Sequence, residues 1–266
     1  MGHSSVLRKC LECEPTNVSV AHEPADERHV HESACRLLEM QCRASGLREI
    51  MSSTRLFGGR PFLFAGAVRD ALFASLTGIT SRPRDYDIGI ARVRRDRFEA
   101  FATCLGAEPN QYGGYHLTAR DALRVDLWRI EDTVGVLVHA CRPTIMNVLR
   151  SFVIDLNAVA YDPTEKVLQD HGCLEALCRR EIGLVRDALL HDHSNFAGRA
   201  LALQHRFAFR LSKELREFVA AWYDSAEAER QRAKINAGGY SSGGCTASLQ
   251  ATPGAICSGS DSVCPE

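Results

Sequence analysis

Residues 62–91 constrain the fold of this chain more than any other stretch. An apolar run predicts a first strand at 61–66, and the small residues that end this run lead into a helical pattern at 67–77. A polar loop that contains Pro83 then precedes a second predicted strand at 85–91. The order is therefore strand, small-residue turn, helix, loop and strand.

The second strand carries two carboxylates, Asp85 and Asp87, two residues apart. Side chains at that spacing project to the same side of a strand, so the pair offers hard oxygen ligands of the kind that Mg²⁺ prefers. The helix that follows the small-residue turn directs backbone N–H groups outward, and such an N-terminus favours phosphate. A phosphate cradle beside a carboxylate pair indicates metal-assisted phosphoryl chemistry.

Two further strands are predicted at 115–118 and 123–130. Apolar and polar side chains alternate along the second of them, so that Arg124, Asp126 and Trp128 share one side. In a mixed sheet Asp126 could lie beside the first carboxylate pair, and three such carboxylates can hold two metal ions roughly 3.5–4 Å apart. Taken alone, the same residue could equally be an ordinary solvent-facing aspartate.

These segments resemble the head domain shared by tRNA nucleotidyltransferases and bacterial poly(A) polymerases. That family carries a GGxVRD…DxDI pattern, which reads AGAVRD at 65–70 and DYDI at 85–88 here. The family also has a later strand with a carboxylate followed by an arginine, which VDLWR at 125–129 resembles. NAVAYD at 157–162 is similar to the second half of the family segment RRDFTINALAYD.

The resemblance covers residues 60–210 and implies an α+β fold: a nucleotidyltransferase head with a small mixed, mainly antiparallel sheet flanked by helices, then a short helical region. It implies catalytic and Mg²⁺-binding roles for Asp85, Asp87 and Asp126. It also implies a set of nucleotide-binding residues, namely Gly66, Ala67, Arg69, Asp70, Arg150, Asn157 and Arg199. Arg69 is left with two readings, as a phosphate partner or as a brace for the carboxylates.

The sequence also departs from the family pattern. Ala65 replaces the first glycine, the spacer before the DxD strand is longer, and Arg150 lies two residues too far upstream of its counterpart. The family reads the incoming base with an E-D-x-x-R motif. Arg199 fits its arginine, but the acidic pair becomes Asn195 and Phe196. The resemblance therefore does not imply that this chain selects bases as CCA-adding enzymes do. Arg199 could equally be a solvent-facing helix residue.

The 266 residues divide into four predicted parts. An N-terminal extension with a helix at 25–52 occupies 1–52, the head 53–190, a helical neck-like region 191–236, and a Gly/Ser-rich tail, predicted to be disordered, 237–266. Cys10 and Cys13, with histidines downstream, are either zinc ligands or incidental residues of a poorly ordered terminus.

The formal net charge of −1 provides no global attraction to nucleic acid, although local arginine patches are compatible with it. No apolar run approaches the ~20 residues of a membrane span, and the N-terminus lacks the apolar middle of a secretory signal. We therefore expect a soluble, cytoplasmic protein with no membrane partner, whose eleven scattered cysteines are reduced.

The expected function is Mg²⁺-dependent transfer of a nucleoside monophosphate from a nucleoside triphosphate to an acceptor hydroxyl. The leading acceptor is a tRNA-like RNA 3′ end. The alternatives are a nucleotidyltransferase that modifies a protein or small molecule, and a degenerate head that binds nucleotide or RNA without turnover. Self-association as a homodimer is left open.

Overall fold

The computed structural model describes residues 26–119, 123–188, 196–223 and 229. Three features discussed above lie outside these residues: the Cys10 and Cys13 pair, Asn195, and the Gly/Ser-rich tail at 237–266.

The described residues form helices and short strands. The helices are α1 (Glu27–Ala44), α2 (Leu47–Leu56), α3 (Gly66–Thr77), α4 (Arg95–Cys104), α5 (Val134–Val138), α6 (Ile145–Arg150), α7 (Cys173–Arg179), α8 (Phe196–Phe207) and α9 (Lys213–Tyr223). The strands are β1 (Arg60–Phe64), β2 (Asp85–Ala91), β3 (Glu108–Pro109), β4 (Tyr115–Thr118), β5 (Arg124–Arg129), β6 (Val159–Asp162), β7 (Val167–Asp170), β8 (Glu181–Ile182) and β9 (Arg210–Leu211). Short 3₁₀ turns occupy Ile130–Asp132 and Asp155–Asn157.

Seven strands form one sheet in the order β3-β4-β5-β2-β1-β6-β7. Neighbours run antiparallel except β2 and β5, which are parallel. β8 and β9 form a separate two-stranded parallel pair. The predicted α+β class, with a mixed and mainly antiparallel sheet flanked by helices, is confirmed.

The period-two alternation of the strands separates two apolar clusters. Leu63, Ile88 and Leu127 belong to the main core, which α1 and α3 cover. Phe64, on the opposite side of β1, belongs to a smaller cluster with Val148 of α6. The smaller cluster lies on the sheet face that carries the carboxylates, because Asp87 and Phe64 are paired in the β1–β2 register.

The helix predicted at 25–52 is divided into α1 and α2. Gly46 has a φ of 74°, a left-handed conformation that glycine adopts without strain and that ends α1 just before α2 begins. Asp26 caps the start of α1 by accepting a hydrogen bond from the backbone N–H of Arg28 at 3.1 Å. Leu38 of α1 and Leu72 of α3 are fully buried in the same core, so this N-terminal helix is part of the domain's packing.

Two of the general expectations can be compared with the described part of the chain. None of its helices combines the length and the apolar character needed to cross a bilayer. Its cysteines are free thiols: Cys35, Cys42, Cys104, Cys141, Cys173 and Cys178.

Candidate active site

The three carboxylates meet on one face of the sheet. Asp87 of β2 is in register with Asp126 of the parallel neighbour β5, and Asp85 is in register with Arg124. Registered residues of adjacent strands point to the same face, so Asp126 lies beside the first pair. All three aspartates line one cleft. The parallel pairing of β2 with β5 is what brings Asp126, which is distant in sequence, next to the DxD pair.

The carboxylates destabilise one another's charges. Burial raises the pKa of Asp87 to about 7, and the negative charges of Asp85 and Asp126 add to this rise. Burial also raises the pKa of Asp126, while the neighbouring Arg124 opposes this shift. A divalent cation would relieve this repulsion by favouring the ionised form of each carboxylate.

One oxygen of Asp126 is well suited to a cation. Its buried Oδ2 has no hydrogen-bond partner among the described residues, whereas its Oδ1 accepts a hydrogen bond from Arg124 Nη2 at 3.2 Å. The donor set is therefore chemically suited to Mg²⁺, which takes carboxylate oxygens. Among the described residues, no three Asp, Glu, His or Cys side chains are already arranged as a metal-holding group, so the Mg²⁺ site stays a prediction.

The small-residue turn places the N-terminus of α3 next to the carboxylates. Gly66 begins α3, and a Cβ added to it would lie 3.8 Å from Arg69 Nη2 and 4.0 Å from Asp85 Oδ1. The first backbone N–H groups of the helix are thus close to where a metal-bound triphosphate would lie. Ala67 is buried in the main core, so its side chain lies beneath this site.

Ala65 holds the turn in an unusual backbone conformation. Its φ of 49° and ψ of −114° lie in a region that glycine adopts readily and alanine rarely does. The residue still lines the cleft directly in front of α3. The family's glycine at this position therefore has a structural reason, and the alanine here carries strain.

Arg69 acts as a brace. Its guanidinium donates to Asp70 Oδ1 from Nε at 3.1 Å and from Nη2 at 3.0 Å, and to Asn157 Oδ1 from Nη1 at 2.7 Å. Arg69, Asp70 and Asn157 are all buried. Of the two readings that the sequence left open, the contacts favour the brace, with Asn157 held at the edge of the cleft.

Arg206 of α8, which sequence reasoning did not select, completes this network. Its Nη2 donates to Asp70 Oδ2 at 2.6 Å and to Ser81 Oγ at 3.2 Å. The ring of Phe207 lies under both guanidinium groups, at 5.2 Å from Arg69 and 5.1 Å from Arg206. Asp70 therefore lies between two arginines and joins α8 to the head.

The two remaining predicted arginines have different positions. Arg199 lines the same cleft as the carboxylates, and its positive charge acts to lower the pKa of Asp87. Arg150 donates from Nε to the backbone oxygen of Asp187 at 3.2 Å and is absent from the residues that line the cleft. The structure therefore brings Arg199, but not Arg150, to the predicted site.

The sequence did not lead us to the residues that line the cleft beyond Asp126. Trp128 and Tyr112 line it, together with Thr133 and Asn110. A signal for Trp128 was present, because it follows Asp126 by two residues on the same strand and must share its face. Tyr112 lies in a turn, and no local pattern could have placed it there.

The fold is that of the nucleotidyltransferase head. Two solved structures with this fold are CCA-adding enzymes. One, in apo form I, aligns with a TM-score of 0.52 at 19% identity over 73% of this chain and 44% of that one. The other, in complex with ATP, aligns with a TM-score of 0.50 at 19% identity over 73% of this chain and 43% of that one.

The chain therefore spans less than half the length of either structure. No protein-family model matches the chain, and no curated protein matches it. At this identity the likeness establishes the fold. The resemblance stated from the sequence is confirmed at that level.

Proposed function

We propose that the protein is a Mg²⁺-dependent nucleotidyltransferase that moves a nucleoside monophosphate from a nucleoside triphosphate to the 3′ hydroxyl of an RNA. The observation that carries this proposal is the register of β2 and β5, which assembles Asp85, Asp87 and Asp126 in one cleft beside the N-terminus of α3. That one of the similarly folded enzymes was solved with ATP supports a nucleotide ligand.

Each part of the cleft has a role in this reaction. Asp85 and Asp87 would hold Mg²⁺ together with Asp126, and the cation would neutralise charge on the triphosphate. The backbone N–H groups at Gly66 would contact the terminal phosphates, and Asn157, held by Arg69, would contact the sugar. Arg199 would bind on the nucleotide side of the carboxylates, where its charge already influences Asp87.

The chemical step is an in-line displacement at the α-phosphorus. The acceptor oxygen forms the new bond to phosphorus, the bond from phosphorus to the bridging oxygen breaks, and pyrophosphate leaves with its electron pair. The acceptor's proton would pass to water, because the proposed roles leave Asp126 no free oxygen: its Oδ2 would face the cation, and its Oδ1 accepts a hydrogen bond from Arg124. Positioning and charge neutralisation provide most of the rate enhancement.

The test is transfer of label from each of the four NTPs, with Mg²⁺, to RNA that carries a free 3′ hydroxyl. Asp87→Ala should abolish transfer while circular dichroism shows an unchanged fold. Asp96→Ala makes the same chemical change at an exposed position on α4 and should keep the wild-type rate. RNA whose 3′ diol has been destroyed by periodate should receive no label.

Three results would contradict the proposal. Transfer that survives in Asp87→Ala would exclude the carboxylate site as the catalytic centre. Label on protein in place of RNA would favour the second enzyme class named above. Nucleotide binding without any transfer would favour a degenerate head.

A further inference from the structure

Two aromatic side chains, Trp128 and Tyr112, line the part of the cleft beyond Asp126. We call this pair the aromatic wall. The metal and phosphate roles proposed above use neither of them. Both residues are half-buried, so each ring is supported by the protein and still reaches the cleft.

The Trp128 ring lies directly beyond the carboxylates. Trp128 follows Asp126 by two residues on β5, a step of about 7 Å along the strand. Its registered partner on β2 is Gly89, and a Cβ added there would lie 3.1 Å from Trp128 Cζ2 and 2.6 Å from Phe64 Cε2. The indole therefore leans across β2 over the space that the missing side chain leaves.

Two contacts hold that indole in place. Its Nε1–H donates to Thr133 Oγ1 at 3.3 Å, and its ring centroid is 5.2 Å from that of Phe64. A ring fixed in this way loses little conformational entropy when a ligand stacks on it, and preorganisation of this kind favours binding.

Tyr112 is presented by a tight turn. Asn110 Oδ1 accepts hydrogen bonds from the backbone N–H groups of Tyr112 and Gly114, both at 3.0 Å. Gly114 lets this turn approach β5, because a Cβ there would lie 2.5 Å from the backbone oxygen of Leu127. The turn is thus anchored against the strand that carries Asp126 and Trp128.

The strand direction separates this wall from the phosphate side of the cleft. Gly66 follows Phe64, which is paired with Asp87, whereas Trp128 is paired with Gly89, two residues further along β2. The paired Asp87 and Asp126 therefore lie between Gly66 and Trp128. In an in-line displacement the attacking oxygen and the leaving pyrophosphate are on opposite sides of the phosphorus. The aromatic wall is therefore on the side from which the acceptor attacks.

We propose that the aromatic wall is the acceptor subsite, and that it holds the unpaired terminal nucleobase of an RNA strand by stacking on Trp128 and Tyr112. The inference rests on the transfer function proposed above and identifies where its acceptor binds. Stacking on aromatic faces tolerates every base, which suits a strand end of any sequence.

The tryptophan itself provides the probe. The chain has two tryptophans, so Trp222→Phe leaves Trp128 as its only indole. Trp222 is buried in the main core, and the replacement keeps an aromatic ring there. Titration of this protein with a single-stranded oligoribonucleotide should quench the Trp128 fluorescence. An oligonucleotide of the same length with an abasic 3′ terminus should quench it markedly less, and ATP with Mg²⁺ should leave it unchanged.

A substitution in the turn gives an independent measurement. Tyr112→Ala changes a half-buried turn residue and should weaken oligonucleotide binding about ten-fold, with the KM for NTP within two-fold of wild type. Trp128→Phe, which keeps a stacking face, should retain more affinity than Trp128→Leu.

The outcomes separate this inference from the proposed function. Quenching by ATP but not by the oligonucleotide would assign the wall to the incoming base and overturn the inference. Equal quenching by the abasic strand, or no quenching by either ligand, would also overturn it. Base-dependent quenching in a protein that transfers no nucleotide would refute the proposed catalysis and with it the acceptor role, and would leave the wall as a nucleobase-binding surface.

Discussion

The buried ion pair at Asp70 provides the sharpest test of how this site is held together. Asp70 Oδ1 accepts two hydrogen bonds from Arg69, and its Oδ2 accepts one from Arg206 at 2.6 Å. Only 2% of the Asp70 side chain and 6% of the Arg69 side chain are exposed, against 34% for Arg206. The two arginines should therefore contribute very differently to the energy of the network.

We expect Asp70→Asn to lower the free energy of unfolding by about 3 kcal/mol. Removing one partner of a buried pair costs about 3–5 kcal/mol, because a buried charge is left uncompensated. The lower end applies here, because Arg69 keeps its hydrogen bond to Asn157 and its contact with the Phe207 ring. Arg206→Met removes only the partly exposed partner, keeps the apolar stem, and should cost about 1 kcal/mol.

The measurement is equilibrium unfolding in guanidinium chloride at pH 7, with the double variant included to close a thermodynamic cycle. Asp96→Asn, on an exposed aspartate paired with Arg94, is the control and should change stability by less than about 0.5 kcal/mol. Asp70→Asn should also weaken NTP binding, since Arg69, without its charged partner at Asp70, would orient Asn157 less firmly. The reasoning fails if Asp70→Asn costs less than about 1 kcal/mol, or no more than Arg206→Met.

Three further predictions concern other parts of the fold. Ala65→Gly should raise the free energy of unfolding by about 1 kcal/mol, because the relief of a strained φ exceeds the entropic cost of a glycine. A loss of stability in thermal unfolding would show that Ala65 is not strained. Burial raises the pKa of Asp155 to about 7, so the folded state binds more protons than the unfolded one and stability should fall from pH 4 to 7. Asp155→Asn should reduce this fall in the free energy of unfolding by up to about 1.4 kcal/mol per pH unit, measured by denaturation at several pH values. The same pH dependence in wild type and variant would refute the prediction. Gly89→Val should displace Phe64 and the Trp128 ring and destabilise the protein by about 2 kcal/mol or more. In the Trp222→Phe background it should also shift the tryptophan emission. An unshifted spectrum would contradict the position of the Trp128 ring over Gly89.

The Asp155 prediction also bears on a position where this chain differs from the family segment RRDFTINALAYD. That segment has threonine where Asp155 stands here, and the Asp155 carboxylate accepts backbone hydrogen bonds from Leu156 at 2.7 Å and Gly183 at 2.9 Å. The second of these ties the segment that carries Asn157 to the chain after β8. The aspartate thus has a structural role that the motif comparison could not assign.

Local chemistry was enough to predict much of the fold. The strands at 85–91 and 115–118 have the predicted bounds, since short alternating segments between turn residues are a strong local signal. The helix predicted at 25–52 was too long, because a glycine in a helical pattern does not by itself show whether it ends the helix. The helices α8 and α9 fall within the helical region predicted at 191–236.

The sequence by itself determined that Asp85 and Asp87 share a face, that a small-residue turn precedes a helix, and that Asp126 and Trp128 lie on one side of a later strand. Each of these depends on the geometry of a few consecutive residues. Only the tertiary structure decided that β5 pairs in parallel with β2, which brings Asp126 to Asp87.

The same holds for the contacts that link distant segments. Arg69 contacts Asn157, which is 88 residues away in sequence, and Arg206 contacts Asp70, which is 136 residues away. No local sequence pattern predicts either contact. Such contacts depend on strand order and on how α8 packs against the head. Short motifs were therefore enough to predict the carboxylates of the site. The contacts that hold Asn157 in place and the aromatic wall depend on packing between elements far apart in the chain.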